Sequence, residues 1–300
     1  MKIGIDLGGS HVAIGVINND GKIVEKVEKR LTIVEKQNIK KVIEDYIIDN
    51  VNQYMKQYDI EEVGIAIPGT VDKESIIKSV NLGLENYNIV QNLKEKIDLP
   101  IKIRNDAKCA AIAENEYGCL KEYDRSLFLT LGTGIGGAVI INNKLLDTGD
   151  LPGCEIGHMV IQKDGILCNC GRKGCFEKYG SMKTFKNNLR EALGRDENTH
   201  GEELLNILKN NKPENKDYEK IEKVINEYIE NLAIGITNII NIFEPEAIGI
   251  GGSFIYFEEV LLDRLKEELL NSNLTFNERK DINIKTAILG NDAGIIGAVL

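Results

Sequence analysis

A glycine-rich strand–turn–strand pattern occurs twice in this chain and limits its possible folds more than any other feature. The segment IDLGGSHVAIGVINN (5–19) aligns without gaps with LTLGTGIGGAVIINN (129–143), 124 positions downstream. In each copy two short apolar runs flank a glycine turn, as in a β-hairpin, and Asn-Asn follows. Chance similarity of two hairpins is the alternative. Duplication predicts two related α/β lobes, each offering a glycine turn to a central cleft.

Strands alternate with helical periodicity along much of the chain. VGIAIPG (63–69) is typical of a buried strand that ends in a Pro-Gly loop. PIKIRNDA (100–107) predicts a strand that leads into a helix over 107–117. Apolar residues recur at helical spacing over two long segments, 38–58 and 219–242, which predicts two long helices. The pattern predicts an α/β protein.

The charge balance excludes some classes of partner. Lys plus Arg number 37 against 47 Asp plus Glu, a formal net charge of -10. Such acidity disfavours nucleic acid and anionic membrane surfaces, which require basic patches. The N-terminus lacks a secretion signal, and no apolar run is long enough for a membrane span. We therefore expect a cytoplasmic protein with no nucleic-acid or membrane partner.

The two glycine turns suit the binding of phosphate. A turn whose backbone amides approach phosphate requires glycine, because a Cβ would obstruct the approach. Asp6, just before the first turn, is placed to hold a Mg²⁺–phosphate cluster, through a water molecule. GTGIGG (132–137) also resembles a dinucleotide-binding fingerprint, but the strand-like AVIINN follows it where a helix is required.

A third glycine element lies near the C-terminus. The segment AIGIGGSFIYFEEV (247–260) predicts a strand, the turn Gly251-Gly252-Ser253 and then a helix. That order suits a nucleoside or phosphate at a helix N-terminus. A plain strand-to-helix turn with a Ser cap is equally compatible with the residues.

One aspartate is a candidate general base. Phosphoryl transfer to an alcohol uses a carboxylate that takes the hydroxyl proton. Asp106, in RNDA, lies where a strand meets a helix. An N-cap without chemistry is the competing interpretation. Asp292, in GNDA, has the same local context, so these residues alone leave the choice open.

The cysteine-rich segment predicts a metal site. Three of the six cysteines, Cys168, Cys170 and Cys175, follow His158 closely, which gives the Cys₃His set of structural zinc. A free-thiol loop and a Cys170/Cys175 redox pair are the alternatives. Glu155 and Glu177 lie beside this segment, and rigid carboxylates of this kind bind the hydroxyls of a polyhydroxylated substrate.

Taken together, these motifs resemble the ROK family of sugar kinases and sugar-responsive repressors. The matching stretches occur in the family's order and span nearly the whole chain: DLGGS, RNDAKCAAIAE, LGTGIGG, CEIGHM, CNCGRKGCFEKYGS, GIGGS and NDAGIIGA. The resemblance implies a two-lobed actin-like ATPase (ribonuclease H-like) fold with duplicated α/β lobes and a central cleft. It places a small lobe at 1–117, joined by a C-terminal helix at 291–300, and a large lobe at 118–290.

The resemblance also implies roles for individual residues. Asp106 becomes the catalytic base, and Asp292 belongs to the C-terminal helix. The resemblance implies that the two glycine turns bind the phosphates and Mg²⁺. It implies that the third glycine element binds the adenosine of ATP. The implied sugar contacts are Gly69, Asn81, Asn105, Asp106, Glu155, His158 and Glu177. The implied nucleotide contacts are Asp6, Gly8, Gly9, Ser10, Gly132, Thr133, Gly134, Gly251 and Gly252.

The expected function is therefore an ATP-dependent hexose kinase acting on the 6-hydroxyl, with glucose as the first expected substrate. N-acetylglucosamine, N-acetylmannosamine and fructose are the alternative acceptors. The family's repressors carry a helix-turn-helix segment ahead of the first glycine turn, whereas Asp6 stands near the start here. Since dimers are usual in the family, we also expect a homodimer.

Overall fold

The computed structural model describes residues 1–146, 153–271 and 283–300. The chain forms two compact units. The first draws on Met1–Glu122, Lys144–Cys154 and Ile288–Leu300, and the second on Tyr123–Asn143 and Glu155–Ala287. The lobe boundary expected after residue 117 stays a prediction.

The strands follow the predicted alternation with helices. In chain order they are β1 (Lys2–Leu7), β2 (His11–Ile17), β3 (Ile23–Arg30), β4 (Glu62–Ile67), β5 (Thr70–Val71), β6 (Ile76–Ser79), β7 (Leu84–Tyr87), β8 (Ile101–Asn105), β9 (Arg125–Leu131), β10 (Ile135–Ile141), β11 (Lys144–Leu145), β12 (Ala247–Gly251) and β13 (Asn283–Thr286).

The helices include the two long ones predicted from periodicity. In chain order they are α1 (Ile33–Lys36), α2 (Ile39–Met55), α3 (Ile89–Lys94), α4 (Asp106–Glu116), α5 (Glu177–Gly180), α6 (Met182–Ala192), α7 (Gly201–Lys209), α8 (Tyr218–Phe243), α9 (Glu258–Asn271) and α10 (Ala293–Gly297). Short 3₁₀ segments span Ile156–His158, Gly252–Phe257 and Gly290–Asp292.

The main sheet of the first unit has the strand order β3-β2-β1-β4-β8. β1 pairs antiparallel with β2, in a register that runs from Lys2 opposite Ile17 to Leu7 opposite Val12. β4 and β8 then continue the sheet in parallel. β-branched side chains suit this pleated surface, and α2 buries its apolar face in the same core.

The second unit repeats this topology. β9 pairs antiparallel with β10 across the second glycine turn. β12 lies parallel to β9, and β13 lies parallel to β12. Each unit thus contains a hairpin extended by two parallel strands. The sheets therefore bear out the duplication that the sequence repeat predicted, because repeat and topology agree strand by strand.

The C-terminal helix α10 lies unusually close to the sheet of the first unit. A Cβ added at Gly64 on β4 would stand 1.9 Å from the carbonyl oxygen of Ala298. Any side chain at this position would collide with that backbone, so the close approach requires glycine. α10 also contacts α4 and β1, so it braces the two elements that carry Asp106 and Asp6.

A small antiparallel sheet of the first unit was not predicted. Its order is β5-β6-β7, and Asn81 lies in the connection between β6 and β7. The strands are short and partly polar, so their hydrophobic alternation is too weak to reveal them in sequence.

No helix in the described part of the chain is both long enough and apolar enough to cross a membrane.

Candidate active site

The first glycine turn connects β1 to β2 and lies beside a histidine. The amide of Gly8 donates to the carbonyl oxygen of His11 at 2.8 Å, which closes the turn. The His11 ring covers Gly8, and a Cβ there would stand 2.5 Å from the imidazole. His11 Nε2 also lies 3.9 Å from Asp6 Oδ2. A basic side chain therefore stands beside both the predicted phosphate turn and its aspartate.

Asp6 is a largely buried carboxylate at the end of β1. Its side chain is 20% exposed and packs against Gly294 of α10. Burial raises the pKa of Asp6 to about 6, with Lys26 opposing the shift and Glu28 adding to it. A desolvated carboxylate gains from a nearby cation, so a hard ion such as Mg²⁺ fits this oxygen donor.

Asn105 and Asp106 stand where β8 meets α4, and they divide the roles that the sequence left open. Asn105 is the N-cap, and its Oδ1 accepts from the amide of Lys108 at 3.2 Å. Its Nδ2 donates to the carbonyl oxygen of Gly69 at 2.9 Å. Asp106 is the first residue of α4, where its Oδ1 accepts from the amide of Ala107 at 2.8 Å. The capping function therefore belongs to Asn105.

The first unit brings two pairs of predicted sugar and phosphate contacts together. Asn105 and Gly69 share a hydrogen bond. The Cβ and carbonyl oxygen of Asn81 lie 3.1 and 3.2 Å from the position of a Cβ added at Gly9. The β6–β7 connection thus packs directly on the first glycine turn, whose last residue, Ser10, is exposed.

The second glycine turn connects β9 to β10 and is hydrogen-bonded to two helices, α5 and α6. The Gly132 amide donates to Gly134 at 3.0 Å, and the Gly132 carbonyl oxygen accepts from the amide of Lys183 at 3.1 Å. Glu177, the first residue of α5, accepts from the amide of Ile135 at 3.1 Å. No local pattern indicated that Glu177, expected as a sugar contact, would support this turn.

The predicted zinc ligands converge in the second unit. One donor atom from each of His158, Cys168, Cys170 and Cys175 lies within 4.8 Å of the others. The Cys170 and Cys175 sulfurs are 3.6 Å apart, and Cys168 Sγ is 3.7 Å from His158 Nδ1. Ligands about 2.3 Å from a tetrahedral ion lie about 3.8 Å apart, so this donor set fits zinc.

The backbone of this loop brings the four donors together. Gly174 has a φ of +78°, and a Cβ there would collide with the carbonyl oxygen of Gln162. The Cys168 amide donates to Arg172 at 2.8 Å, which closes a tight turn around Cys170. Exposed Glu155 precedes the 3₁₀ segment that ends at His158. Because His158 Nδ1 faces the cluster, its Nε2 is directed elsewhere.

The third glycine element differs from its prediction in one respect. β12 ends at Gly251 as expected, but a 3₁₀ segment over Gly252–Phe257 separates it from α9. The N-terminus of α9 is therefore at Glu258 and not at the glycines. Phe254 and Phe257 are buried, and their packing accounts for the inserted turn, a tertiary effect that local propensity does not contain.

A cavity of about 670 Å³ opens beside the second glycine turn, within the second unit. Four segments line it: the turn residues Gly132 and Thr133, Ser253 of the third glycine element, one face of α6, and the loop residues Glu197 and Asn198. The α6 residues that face it are Lys183, Lys186, Asn187 and Arg190. Sequence reasoning did not identify these α6 residues.

The family of the chain follows from comparison with known proteins. A family model, that of the ROK family, matches residues 2–300. The chain belongs to the ROK family. The predicted zinc ligands, both glycine turns and the Asn105-Asp106 pair all lie within the matched residues.

Named relatives include both kinases and repressors. The glucokinase of Thermotoga maritima is 29% identical, over 99% of this chain and 95% of its own. The xylose repressor of Bacillus subtilis is 27% identical, over 99% of this chain and 75% of its own.

A solved structure agrees with the fold. The ROK family glucokinase of Streptomyces griseus, determined with glucose and AMPPNP, has a TM-score of 0.79 and 25% identity. The match covers 99% of this chain and 97% of that one. The predicted actin-like ATPase fold class is confirmed, since the similarity extends over both units.

Proposed function

We propose that this chain is an ATP-dependent hexose kinase that phosphorylates the 6-hydroxyl of a sugar, with glucose as the preferred acceptor. Family membership and the similarity to glucokinases support the reaction class. The observation that carries the proposal is Asp106, which begins α4 while its neighbour Asn105 supplies the cap. The Asp106 carboxylate accepts from the Ala107 amide through Oδ1, and a carboxylate held at the start of a helix is a suitable acceptor of a hydroxyl proton.

In the proposed reaction, the Asp106 carboxylate takes the proton of the sugar 6-hydroxyl. The hydroxyl oxygen forms a bond to the γ-phosphorus, and the bond from that phosphorus to the leaving ADP oxygen breaks. The hydrogen bond from Asn105 Nδ2 to the Gly69 carbonyl oxygen keeps the adjacent Asp106 in position. The products are a sugar 6-phosphate and ADP.

The phosphates are assigned to the backbone amides of Gly8, Gly9 and Ser10 and of Gly132, Thr133 and Gly134. Preorganised amides stabilise developing charge without reorganising during the reaction. Asp6 would hold Mg²⁺ through water, and the ion would supply charge neutralisation at the phosphates. The adenosine is assigned to the side of Gly251 and Gly252.

The sugar hydroxyls in the second unit are assigned to Glu155, His158 and Glu177. Carboxylates and an imidazole nitrogen accept hydroxyl protons, which distinguishes a polyol from less hydroxylated analogues. The Cys168, Cys170 and Cys175 thiolates with His158 Nδ1 would hold a structural zinc ion. Its function would be to orient His158 and the adjoining loop.

A coupled assay with ATP and a sugar panel tests the proposal. The panel contains glucose, fructose, N-acetylglucosamine and N-acetylmannosamine, and we expect the highest kcat/KM with glucose. Asp106→Asn should lower kcat by about 10²- to 10⁴-fold, the usual contribution of a general base. Absence of transfer to every sugar would overturn the kinase proposal.

Asp292→Asn is the matched control. Asp292 stands in the same Asn-Asp-Ala context, but its Oδ1 forms an ion pair with Lys26 at 2.8 Å, and its side chain is 47% exposed. We expect this variant to keep its kcat. An equal loss in both variants would show that Asp106 has no special role.

A sugar-responsive repressor is the second candidate, because the xylose repressor is similar over 99% of this chain. The formal charge of -10 opposes phosphate contacts on DNA. A salt-sensitive gel shift with operator-like DNA, together with no sugar phosphorylation, would favour this second function.

A further inference from the structure

The cavity beside the second glycine turn is positively charged, although the chain as a whole is acidic. Three cations, Lys183, Lys186 and Arg190, line it against one carboxylate, Glu197. The whole chain carries a formal charge of -10. A local excess of positive charge on such a background attracts anions to this place in particular.

The three cations share one face of α6. They stand at positions i, i+3 and i+7, which places them together on the helix surface. A neighbouring face, about 100° around the helix axis, carries Met182, Phe185 and Leu189, all buried in the core. The packing of that apolar face therefore fixes which way the cations point, and they line the cavity with the glycine turn.

Neither Lys186 nor Arg190 has a carboxylate partner among the described residues. The Arg190 guanidinium donates to the Thr199 carbonyl oxygen at 2.8 and 3.2 Å and to Asn187 at 2.9 Å, all uncharged acceptors. These bonds hold Arg190 in place and leave its charge uncompensated. Burial lowers the pKa of Lys186, and the charge of Arg190 lowers it further. An anionic ligand would relieve both costs.

The cavity offers little for recognition of a base. No aromatic or branched aliphatic side chain lines it among the described residues. Ligand sites usually have apolar and aromatic walls, and stacking on an aromatic ring is the common means of holding a base. The lining instead consists of three cations, one carboxylate, amides, hydroxyls and glycine backbone. Because the cations outnumber the carboxylate, this lining suits a chain of phosphates.

We propose that Lys183, Lys186 and Arg190 bind the phosphate chain of the phosphoryl donor, so that this protein selects its donor by phosphates and not by base. The inference rests on the proposed kinase function and adds the residues and the basis of donor selection. The recognised chemistry is a linear polyphosphate, free or attached to a nucleoside.

Lys186→Met and Arg190→Met test the residues. Each should raise KM for ATP by about tenfold, the usual effect of losing one charge-assisted contact, and leave KM for the sugar unchanged. Lys186→Arg keeps the positive charge, so its KM for ATP should stay close to that of the wild type. Lys223→Met removes an equally charged but 75% exposed lysine on α8, and its KM for ATP should equal that of the wild type.

A donor panel tests the basis of selection. With one sugar, the kcat/KM values of ATP, GTP and UTP should lie within about tenfold, because a site that hydrogen-bonds the edge of one particular base would separate them further. Inorganic tripolyphosphate should compete with ATP, and less so in Lys186→Met/Arg190→Met. A preference for ATP above about a hundredfold, or an unchanged KM for ATP in the double variant, overturns the proposal.

Calorimetric titration with tripolyphosphate separates this inference from the kinase proposal, since it requires no sugar turnover. Binding that weakens in the double variant supports the cation cluster even where no sugar is phosphorylated, and then the kinase proposal alone fails. Sugar phosphorylation by a wild-type protein that does not bind tripolyphosphate would reject the cation cluster alone.

Discussion

At the scale of single residues, the least expected feature is a fully buried carboxylate on α4. Glu114 is 0% exposed. Its Oε2 accepts from the Cys119 amide at 2.8 Å, and its Oε1 accepts from the amides of Ile288 and Leu289 at 2.9 and 2.8 Å. Glu114 thereby ties α4 to the segment that enters α10, with its charge solvated by amides in place of water.

We predict that Glu114→Gln lowers the free energy of unfolding by about 2 kcal/mol. The NH₂ group of glutamine would face backbone N–H groups that now donate to a carboxylate oxygen, and those donors would lose their acceptor. The urea midpoint measures this loss. Glu116→Gln, an exposed change on the same helix, should leave the midpoint in place. Equal midpoints for all three proteins would mean that these hydrogen bonds add nothing to stability.

At the scale of elements, the loop over residues 155–177 illustrates how ligand spacing predicts a site but not its surroundings. The four donors lie close together in the chain, so their spacing alone predicts the cluster. The contact of Glu177 with Ile135 joins residues 42 positions apart and depends on how α5 packs. No local pattern contains that information.

We predict that Cys168→Ser lowers bound zinc well below one equivalent per chain and raises KM for the sugar by about tenfold or more, because His158 loses its orientation. Elemental analysis and steady-state kinetics measure the two effects. Cys119→Ser, outside the cluster, should retain zinc. Full activity in a zinc-free Cys168→Ser protein would contradict the orienting function.

At the scale of the whole molecule, a charge triad across the first sheet makes the stability of the protein depend on pH in the acid range. Glu62 on β4 contacts Lys2 at 2.6 Å and Lys102 at 2.8 Å, and it is 13% exposed. Burial alone would raise the pKa of Glu62, but hydrogen bonds from Lys102 and Lys2 outweigh it and lower the pKa below 4.5. This stabilisation is present above 4.5 and disappears as the pH falls through the lowered pKa.

We predict that Glu62→Gln is less stable than the wild type by about 1 kcal/mol near neutral pH. The difference should shrink toward zero as the pH falls below 4.5, the ordinary value for Glu62. Urea unfolding across this pH range measures it. Glu85→Gln, at an exposed position, should show no such trend, and a pH-independent difference for Glu62→Gln would refute the linkage.

The duplicated topology is also a property of the whole molecule, and the gapless repeat predicted it. A homodimer, which the family resemblance implied, stays a prediction. So does the assignment of individual sugar and nucleotide contacts, because each depends on distances that no motif specifies.

The sequence by itself determined the local features: both glycine turns, the strands of the repeated hairpin, the long helices and the Cys₃His set. Each arises from residues near one another in the chain, where propensity and spacing are sufficient. The family resemblance separated Asp106 from Asp292, which share one local motif, but only the tertiary structure gave their partners, the Ala107 amide for Asp106 and Lys26 for Asp292. The tertiary structure also brought the α6 cations to the Gly132 turn and Glu114 to Ile288, because packing of distant apolar faces decides which polar groups meet.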